Sequence, residues 1–143
     1  MSTTGNGKIF IQIASYRDPQ LLPTLRDCIE NSDNPENLVF SISWQHSTED
    51  SWDNMGEFKD DPRFKIIDID YNESKGACWA RNKLQQQYDG EEYTLQLDSH
   101  HRFIKGWDTE LINMLRDLQT KGFSKPLITS YISSFNPETD PEG

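Results

Sequence analysis

The sequence predicts an α/β fold with a mostly parallel sheet, because strand-like and helix-like segments alternate along the chain. The first apolar segment, Ile9–Ala14 (IFIQIA), is almost uninterrupted, as in a strand buried on both faces. Polar motifs follow the first and fourth predicted strands, where open parallel sheets carry their ligand sites. Right-handed crossovers would bring these motifs to the same edge of the sheet.

The strands are predicted from apolar runs or from alternation of apolar and polar residues. The predicted strands are Ile9–Ala14, Leu38–Gln45, Phe64–Tyr71, Tyr93–Leu97 and Pro126–Ile132. Between the second and the third, His46–Pro62 is polar, acidic and irregular, which predicts a solvated surface loop.

Helical spacing of apolar residues predicts three helices between these strands. The first places Pro23 in its first turn, the second runs from Gly76 to about Tyr88, and the third has Asp108 as its N-cap. Gly90 and Gly122 mark the ends of the second and third helices. The predicted buried positions are Leu22, Leu25 and Ile29, then Ala77, Ala80, Leu84 and Tyr88, then Leu111, Ile112, Leu115 and Leu118.

Composition limits the classes of function that the chain can perform. Its 143 residues suffice for one domain with a core, and its net charge of −10 argues against nucleic acid and anionic membranes as partners. No segment approaches the ~20 apolar residues of a membrane span, and residues 1–8 lack a signal-peptide core. Cys28 and Cys78 fall in predicted helices and are interpreted as reduced packing residues, which favours a cytoplasmic location.

The fourth predicted strand ends in the tripeptide Asp98-Ser99-His100. In an extended segment residues i and i+2 project to the same side, so Asp98 and His100 can reach one ion while Ser99 and His101 point away. Oxygen and imidazole ligands suit Mn²⁺ or a similar divalent metal, which would hold a diphosphate. The simpler interpretation is an ordinary turn at the end of a strand.

Three separated segments carry a resemblance to a known family. They read IQIASYRDPQLLPTL at residues 11–25, GACWAR at 76–81 and EEYTLQLDSHHRF at 91–103, with Gly106-Trp107-Asp108 close behind. Together they resemble the cytoplasmic hydroxyproline GlcNAc-transferase family. That family is similar to the GT-A glycosyltransferases, which include polypeptide GalNAc-transferases with an Asp-Ser-His metal motif.

The resemblance implies a GT-A, Rossmann-like fold and a metal-dependent retaining glycosyltransferase. Its donor would be a UDP-sugar, UDP-GlcNAc in the first place, its metal Mn²⁺, and its acceptor a hydroxyl of a protein or glycan. The metal ligands that it implies are Asp98 and His100. The donor-binding residues that it implies are Ser15, Tyr16, Arg17, Arg81 and Ser99.

The composition of the chain and the resemblance together predict how the chain is divided. Residues 1–7 are expected to be a disordered N-terminal segment, residues 8–132 the donor-binding half of a GT-A domain, and residues 133–143 a frayed tail. A complete domain of this kind needs roughly another hundred residues. The fold is therefore expected to be truncated, with a third metal ligand and the acceptor groove outside it and an apolar face open to self-association.

Two other classes of function remain open at this point. One is a catalytically inactive UDP-sugar-binding or scaffold domain. The other is a zinc hydrolase, which would need three ligands converging on the metal from among His46, Asp98, His100 and His101.

Individual residues also have simpler interpretations. Arg17 could pair with Asp18, and Arg81 could form a salt bridge with Asp68 or Asp70. Gln45 ends the second predicted strand, where a group that recognises a nucleotide base would sit.

Overall fold

The computed structural model describes residues 5–143 and contains one parallel sheet with helices on both faces. The elements, in chain order, are β1 (Ile9–Tyr16), α1 (Leu21–Glu30), β2 (Leu38–His46), β3 (Phe64–Asp70), α2 (Ala77–Gln85), β4 (Tyr93–Asp98) and α3 (Trp107–Thr120). The strands lie in the order β3-β2-β1-β4, and each neighbouring pair is parallel. The predicted α/β fold with a parallel sheet is confirmed.

The register of the sheet brings the polar motifs to one edge. Ile9 of β1 lies opposite Leu38 of β2 and Tyr93 of β4, so these three strands start at the same level. Their carboxyl ends therefore coincide, with Ala14 opposite Asp98.

One face of the sheet is covered by α1 and α3. Alternate residues of β1 and β2 point to this face, where they form the apolar core with Leu21, Leu25 and Cys28 of α1. The indole Nε1 of Trp107 donates a hydrogen bond of 2.8 Å to the Cys28 carbonyl, which fixes α3 against α1. Burial raises the pKa of the Cys28 thiol, as expected of a packing cysteine, whereas Cys78 is exposed and does not pack.

The other face is covered only in part, by α2. Ala80 and Leu84 are fully buried over β1 and β2, and their carbonyls accept hydrogen bonds from Ser43 Oγ at 2.9 Å and Ser41 Oγ at 3.2 Å. On this face β4 is open, because Thr94, Gln96 and Asp98 are exposed. Asp98 is therefore accessible from the side of the sheet that carries α2.

The second helix is shorter than its periodicity predicts, since α2 ends at Gln85. Tyr88 therefore does not belong to its apolar face, and half of that side chain is exposed. Its ring instead meets Phe10 edge to face, with 5.7 Å between the ring centroids.

The segment after β2 is not the solvated loop that its acidic composition predicts. Met55 and Phe58 are buried in the core, and Gly56–Phe58 forms a turn of 3₁₀ helix. Asp53 is buried as well, which raises the pKa of its carboxyl group, and it accepts a hydrogen bond of 2.8 Å from Trp44 Nε1. The segment is acidic on average, so its composition does not reveal that these individual residues are buried.

The prediction of a fifth strand at Pro126–Ile132 is wrong. This segment forms no strand, and Leu127 is 88 % exposed. A strand needs a partner, and within residues 5–143 the sheet ends at β4, which pairs only with β1. The β-branched and aromatic residues of the segment favour a strand, but the segment pairs with no strand of the sheet.

The start of α3 also differs from the prediction. Its N-cap is Gly106, at a left-handed φ of 73°, whereas Asp108 lies within the first turn. Asp108 instead accepts hydrogen bonds from the backbone N–H groups of Asp33 and Asn34, at 2.9 and 3.0 Å, and from Ser32 Oγ at 2.6 Å. The carboxylate therefore anchors the loop after α1 to α3.

Within residues 5–143 no helix is both long enough and apolar enough to cross a membrane.

Of the predicted disordered segment 1–7, residues 1–4 lie outside the described part of the chain. Glu92 Oε2 accepts a hydrogen bond of 2.7 Å from the Gly7 N–H.

The Asp108 anchor predicts a stability effect that depends on pH. Burial raises the pKa of Asp108, but the hydrogen bonds from Ser32, Asp33 and Asn34 outweigh it and leave the pKa below its ordinary value. We expect Asp108→Asn to lower the free energy of unfolding at pH 7 by about 1–3 kcal/mol, because the amide cannot accept all three bonds. Denaturant titration measures this difference.

The carboxylate contributes this stability above its unfolded pKa of about 3.9, and the contribution is lost as the pH falls through the lower folded pKa. The difference between the variant and the wild type should therefore shrink below about pH 4. Asp117→Asn is the control, since Asp117 is an exposed carboxylate of α3 that pairs with Lys121 at 2.8 Å. An equal loss in both variants would contradict the anchoring role of Asp108.

Candidate functional site

A cleft of about 530 Å³ lies at the carboxyl ends of β1 and β2, beside the start of α2. We call it the first cleft. Gly76 precedes α2 with a φ of 98°, a conformation that favours glycine. The lining residues are Ala14, Tyr16, Gln45, Tyr71, Asn72, Ser74, Gly76 and Ala77.

Gln45 gives this cleft an unused hydrogen-bonding group. Its side chain is buried, and Nε2 donates a hydrogen bond of 3.1 Å to the Ser15 carbonyl. Within residues 5–143 its Oε1 has no hydrogen-bond partner, and neither does the buried hydroxyl of Ser15. Buried polar atoms are normally paired, so an unpaired amide oxygen on the wall of a cleft is typical of a ligand site.

Arg17 lies at the end of β1 beside the first cleft. Its φ of 45° is left-handed, and its backbone N–H donates a hydrogen bond of 2.8 Å to the Gln45 carbonyl. The guanidinium lies 4.8 Å from the centroid of the Tyr71 ring and makes hydrogen bonds of 2.7 and 3.1 Å to Asp50. These bonds raise the pKa of Arg17, and they show that the simpler pairing with Asp18 is wrong.

A second cleft, of about 520 Å³, contains both members of the predicted metal pair. Asp98 and His100 line it together with His101, Arg102 and residues of the C-terminal segment. The structure thus brings Asp98 and His100 to one cleft but places Tyr16 in the other. The polar motifs that were expected at one edge of the sheet therefore line two clefts.

Asp18 joins the loop after β1 to the tripeptide after β4. Its Oδ2 accepts hydrogen bonds from Ser99 Oγ at 2.5 Å and from His100 Nδ1 at 2.9 Å. Its Oδ1 accepts one from the Gln20 N–H at 2.8 Å. The hydroxyl of Ser99, a predicted donor contact, is therefore used inside the protein, and Ser99 lines neither cleft.

Sequence reasoning considered Asp18 only as a partner of Arg17. One feature of the sequence could have identified Asp18 as a functional residue, namely its position in the polar motif Ser15–Pro19, directly after the first predicted strand. Its true partners lie about eighty positions later in the chain, so only the sheet register shows them.

His101 holds the backbone of the tripeptide. Its Nε2 accepts a hydrogen bond of 3.1 Å from the Asp98 N–H, and its own N–H donates one of 3.0 Å to Thr24 Oγ1. Burial lowers the pKa of His101, which favours the neutral ring that this acceptor role requires.

Arg81 contacts the predicted metal pair directly. Its Nη2 lies 3.1 Å from Asp98 Oδ1, so the alternative salt bridge to Asp68 or Asp70 is wrong. Asp68 pairs instead with His46, at 2.6 Å from Nε2.

Asp98 and His100 have the chemistry of metal ligands. Both side chains are more than half exposed, and the Nδ1 of His100 is bound to the Asp18 carboxylate. A carboxylate on one ring nitrogen orients the other nitrogen of a metal-binding histidine. Within residues 5–143 no group of three His, Cys, Asp or Glu residues is arranged to hold a metal. The pair therefore fits a divalent metal that takes its other ligands from a bound molecule or solvent.

The ligand set of the zinc hydrolase is not assembled. His46 stacks on Trp44, with 3.4 Å between the ring centroids, and is paired with Asp68 rather than with the tripeptide. The Nε2 of His101 is occupied by the Asp98 N–H.

Comparison with known proteins adds a family to this geometry. A family model described as Glycosyltransferase (GlcNAc) matches residues 8–61 and residues 53–142. The matched residues include every residue that lines the first cleft. A search of curated proteins found no match.

The contacts of Asp18 predict its role in ordering the tripeptide. We expect Asp18→Ala to lower the free energy of unfolding by about 1–3 kcal/mol, because it leaves the buried Ser99 hydroxyl without an acceptor. Amide hydrogen exchange at Asp98 and His101 should accelerate, since their hydrogen bonds lie within the turn that Asp18 holds. The exposed Asp89→Ala is the control, and unchanged exchange in Asp18→Ala would contradict the role.

Proposed function

The chain belongs to the GlcNAc glycosyltransferase family, and we propose that it uses a UDP-sugar, UDP-GlcNAc in the first place, as its donor. The sugar would be transferred to a hydroxyl of a protein or glycan, with retention of configuration and with help from a divalent metal. The observation that carries the proposal is the contact between Arg81, on the helix that borders the first cleft, and Asp98 in the second. This contact supports the proposal because it makes the proposed nucleotide site and the proposed metal site neighbours.

The first cleft suits the uridine part of the donor. Uracil carries one ring N–H donor, and Gln45, which lines the cleft, has a buried and unpaired Oε1. In this proposal the amide turns toward the cleft to accept the uracil N–H. Tyr16 and Tyr71, with 6.4 Å between their ring centroids, offer aromatic surface to a base or ribose. A base with only a ring acceptor at this place, such as cytosine, would leave the amide oxygen unpaired, so the cleft favours uracil.

The diphosphate requires positive charge that this acidic chain supplies only locally. The net charge of −10 repels an anionic donor, so nearby cations must offset the repulsion. Arg17 and Arg81 are the candidate phosphate ligands. Arg102 also lines the second cleft, but its guanidinium already binds Gln20 Oε1 and the carbonyls of His101 and Pro141. Asp98 and His100 would hold a metal, Mn²⁺ in the first place, which when bound acts as a Lewis acid on the departing diphosphate.

The proton of the acceptor hydroxyl also needs a destination. The groups around the tripeptide are already engaged, with Asp98 bound to Arg81 and Asp18 bound to Ser99 and His100. In a front-face reaction the bond from the anomeric carbon to the diphosphate oxygen breaks as the bond to the acceptor oxygen forms. The released diphosphate oxygen takes the acceptor proton, so no side chain is needed as the base.

One observation favours a second candidate, a catalytically inactive domain that binds UDP-sugars or serves as a scaffold. Arg17 donates two hydrogen bonds to Asp50, so one of the two candidate phosphate ligands is already engaged by a carboxylate of the protein. Binding of UDP-GlcNAc without transfer or hydrolysis of the sugar would identify this candidate.

Calorimetry with UDP-GlcNAc, UDP-GalNAc and UDP-glucose, in Mn²⁺ and in EDTA, tests the proposed donor site. We expect UDP-GlcNAc to bind most tightly and Mn²⁺ to strengthen binding, since Asp98, His100 and the diphosphate complete the metal shell only together. Asp98→Asn should remove about 1–3 kcal/mol from the metal-dependent part of the binding free energy, the scale of a lost charged contact.

Asp68→Asn is the matched control, because it makes the same change of charge at the end of β3, outside both clefts. It should leave the metal-dependent part nearly unchanged. Equal affinity for UDP-GlcNAc in Mn²⁺ and in EDTA would contradict the proposed site.

A further inference from the structure

Arg81 lies between residues of the two clefts, although it lines neither. It belongs to α2, whose first residue Ala77 lines the first cleft together with Gly76. One turn further along the helix, the guanidinium of Arg81 reaches Asp98, which lines the second cleft. A single side chain is therefore in position to respond to events in both places.

The contact between Arg81 and Asp98 is weaker than the other arginine pairs of this protein. It is a single bond of 3.1 Å between side chains that are 33 % and 55 % exposed. Arg17 and Arg26, in contrast, each make two hydrogen bonds to one carboxylate. A partly exposed pair with one bond contributes little stability, so a competitor can displace it readily.

The guanidinium of Arg81 is also incompletely satisfied. Its Nε is buried and has no partner within residues 5–143. Guanidinium is built to donate several bonds in a fixed fork, and phosphate oxygens match that fork well. Arg81 thus holds Asp98 with one nitrogen, and its buried Nε can bind an anion only after the side chain leaves Asp98.

From these contacts we propose that Arg81 is a metal-responsive latch, which neutralises Asp98 in the metal-free protein and is released to the donor diphosphate when a divalent metal takes over Asp98. The inference rests on the proposed function, because it assigns the metal and the diphosphate to the same two clefts. Both cations compete for one carboxylate, so each weakens the hold of the other. The released charge then faces the anionic part of the donor.

The latch has a signature that a simple donor contact or a structural role lacks. Removing Arg81 eliminates the competitor for Asp98, so Mn²⁺ should bind more tightly in the absence of nucleotide. It also eliminates a ligand of the diphosphate, so UDP should bind more weakly at saturating Mn²⁺. A donor contact alone would change only the second affinity, and a structural role would weaken both.

The test measures two affinities of the purified chain in Arg81→Met. Free Mn²⁺ is followed by electron paramagnetic resonance without nucleotide, and UDP is titrated by calorimetry at saturating Mn²⁺. We expect Mn²⁺ to bind about two- to fivefold more tightly, the scale of a lost exposed ion pair. UDP should bind about tenfold or more weakly, the scale of a lost charged hydrogen bond.

Lys83→Met is the matched control, because it removes the same charge from the same helix. Lys83 Nζ lies 5.0 Å from the centroid of the Trp79 ring, away from Asp98. Both affinities should change by less than about twofold in this variant. Arg81→Gln also removes the charge but keeps a polar side chain of similar reach, and it should reproduce the direction of both changes if the methionine variant does not fold.

Three outcomes would overturn the latch. They are an unchanged or weaker Mn²⁺ affinity in Arg81→Met, an equal gain in Lys83→Met, and an absence of Mn²⁺ binding in both the wild type and Arg81→Met. Failure of UDP to bind in Mn²⁺, with a gain in Mn²⁺ affinity confined to the Arg81 variants, would contradict the proposed function and leave the competition between Arg81 and the metal supported.

Discussion

The carboxylate of Asp18 is the interaction on which the arrangement of both clefts depends. It binds the side chains of Ser99 and His100, which follow β4, from its own position in the loop after β1. The parallel register makes this possible, because β4 ends opposite Ala14, two residues before the end of β1. Thr24 also binds this segment, through the Ser99 carbonyl and the His101 N–H, but Asp18 is the residue that binds the side chains of Ser99 and His100. This bond holds the His100 ring through Nδ1, which leaves Nε2 as the ring nitrogen that could bind a metal.

Charge is the second constraint, and it acts against the proposed ligand. A chain with a net charge of −10 binds a diphosphate only where cations are concentrated. Arg17 and Arg81 meet that need locally, yet each is held by an aspartate in the structure, Asp50 and Asp98 respectively. Arg17 makes two hydrogen bonds to Asp50, whereas Arg81 makes a single bond to Asp98. Arg81 can therefore exchange its partner more easily than Arg17.

The sequence predicts the parts of this protein whose signal is local, and misses those that depend on distant partners. Ile9–Ala14 reads as a buried strand because hydrophobicity alone identifies it, and the family resemblance identifies Asp98 and His100 as candidates. The contact between Asp18 and His100 joins positions far apart in the chain, so no local pattern contains it. The strand prediction at Pro126–Ile132 is wrong for the opposite reason. The local preference for a strand is clear, but within residues 5–143 this segment pairs with no strand.

A crystal structure of the chain with Mn²⁺ and UDP tests the central claim most directly. The account predicts that uracil lies in the first cleft with its ring N–H on Gln45 Oε1. The metal should bridge the diphosphate to Asp98 and His100 in the second cleft, with the Arg81 guanidinium turned from Asp98 to a phosphate oxygen. UDP bound elsewhere on the protein, or a metal held by other residues, would contradict the account.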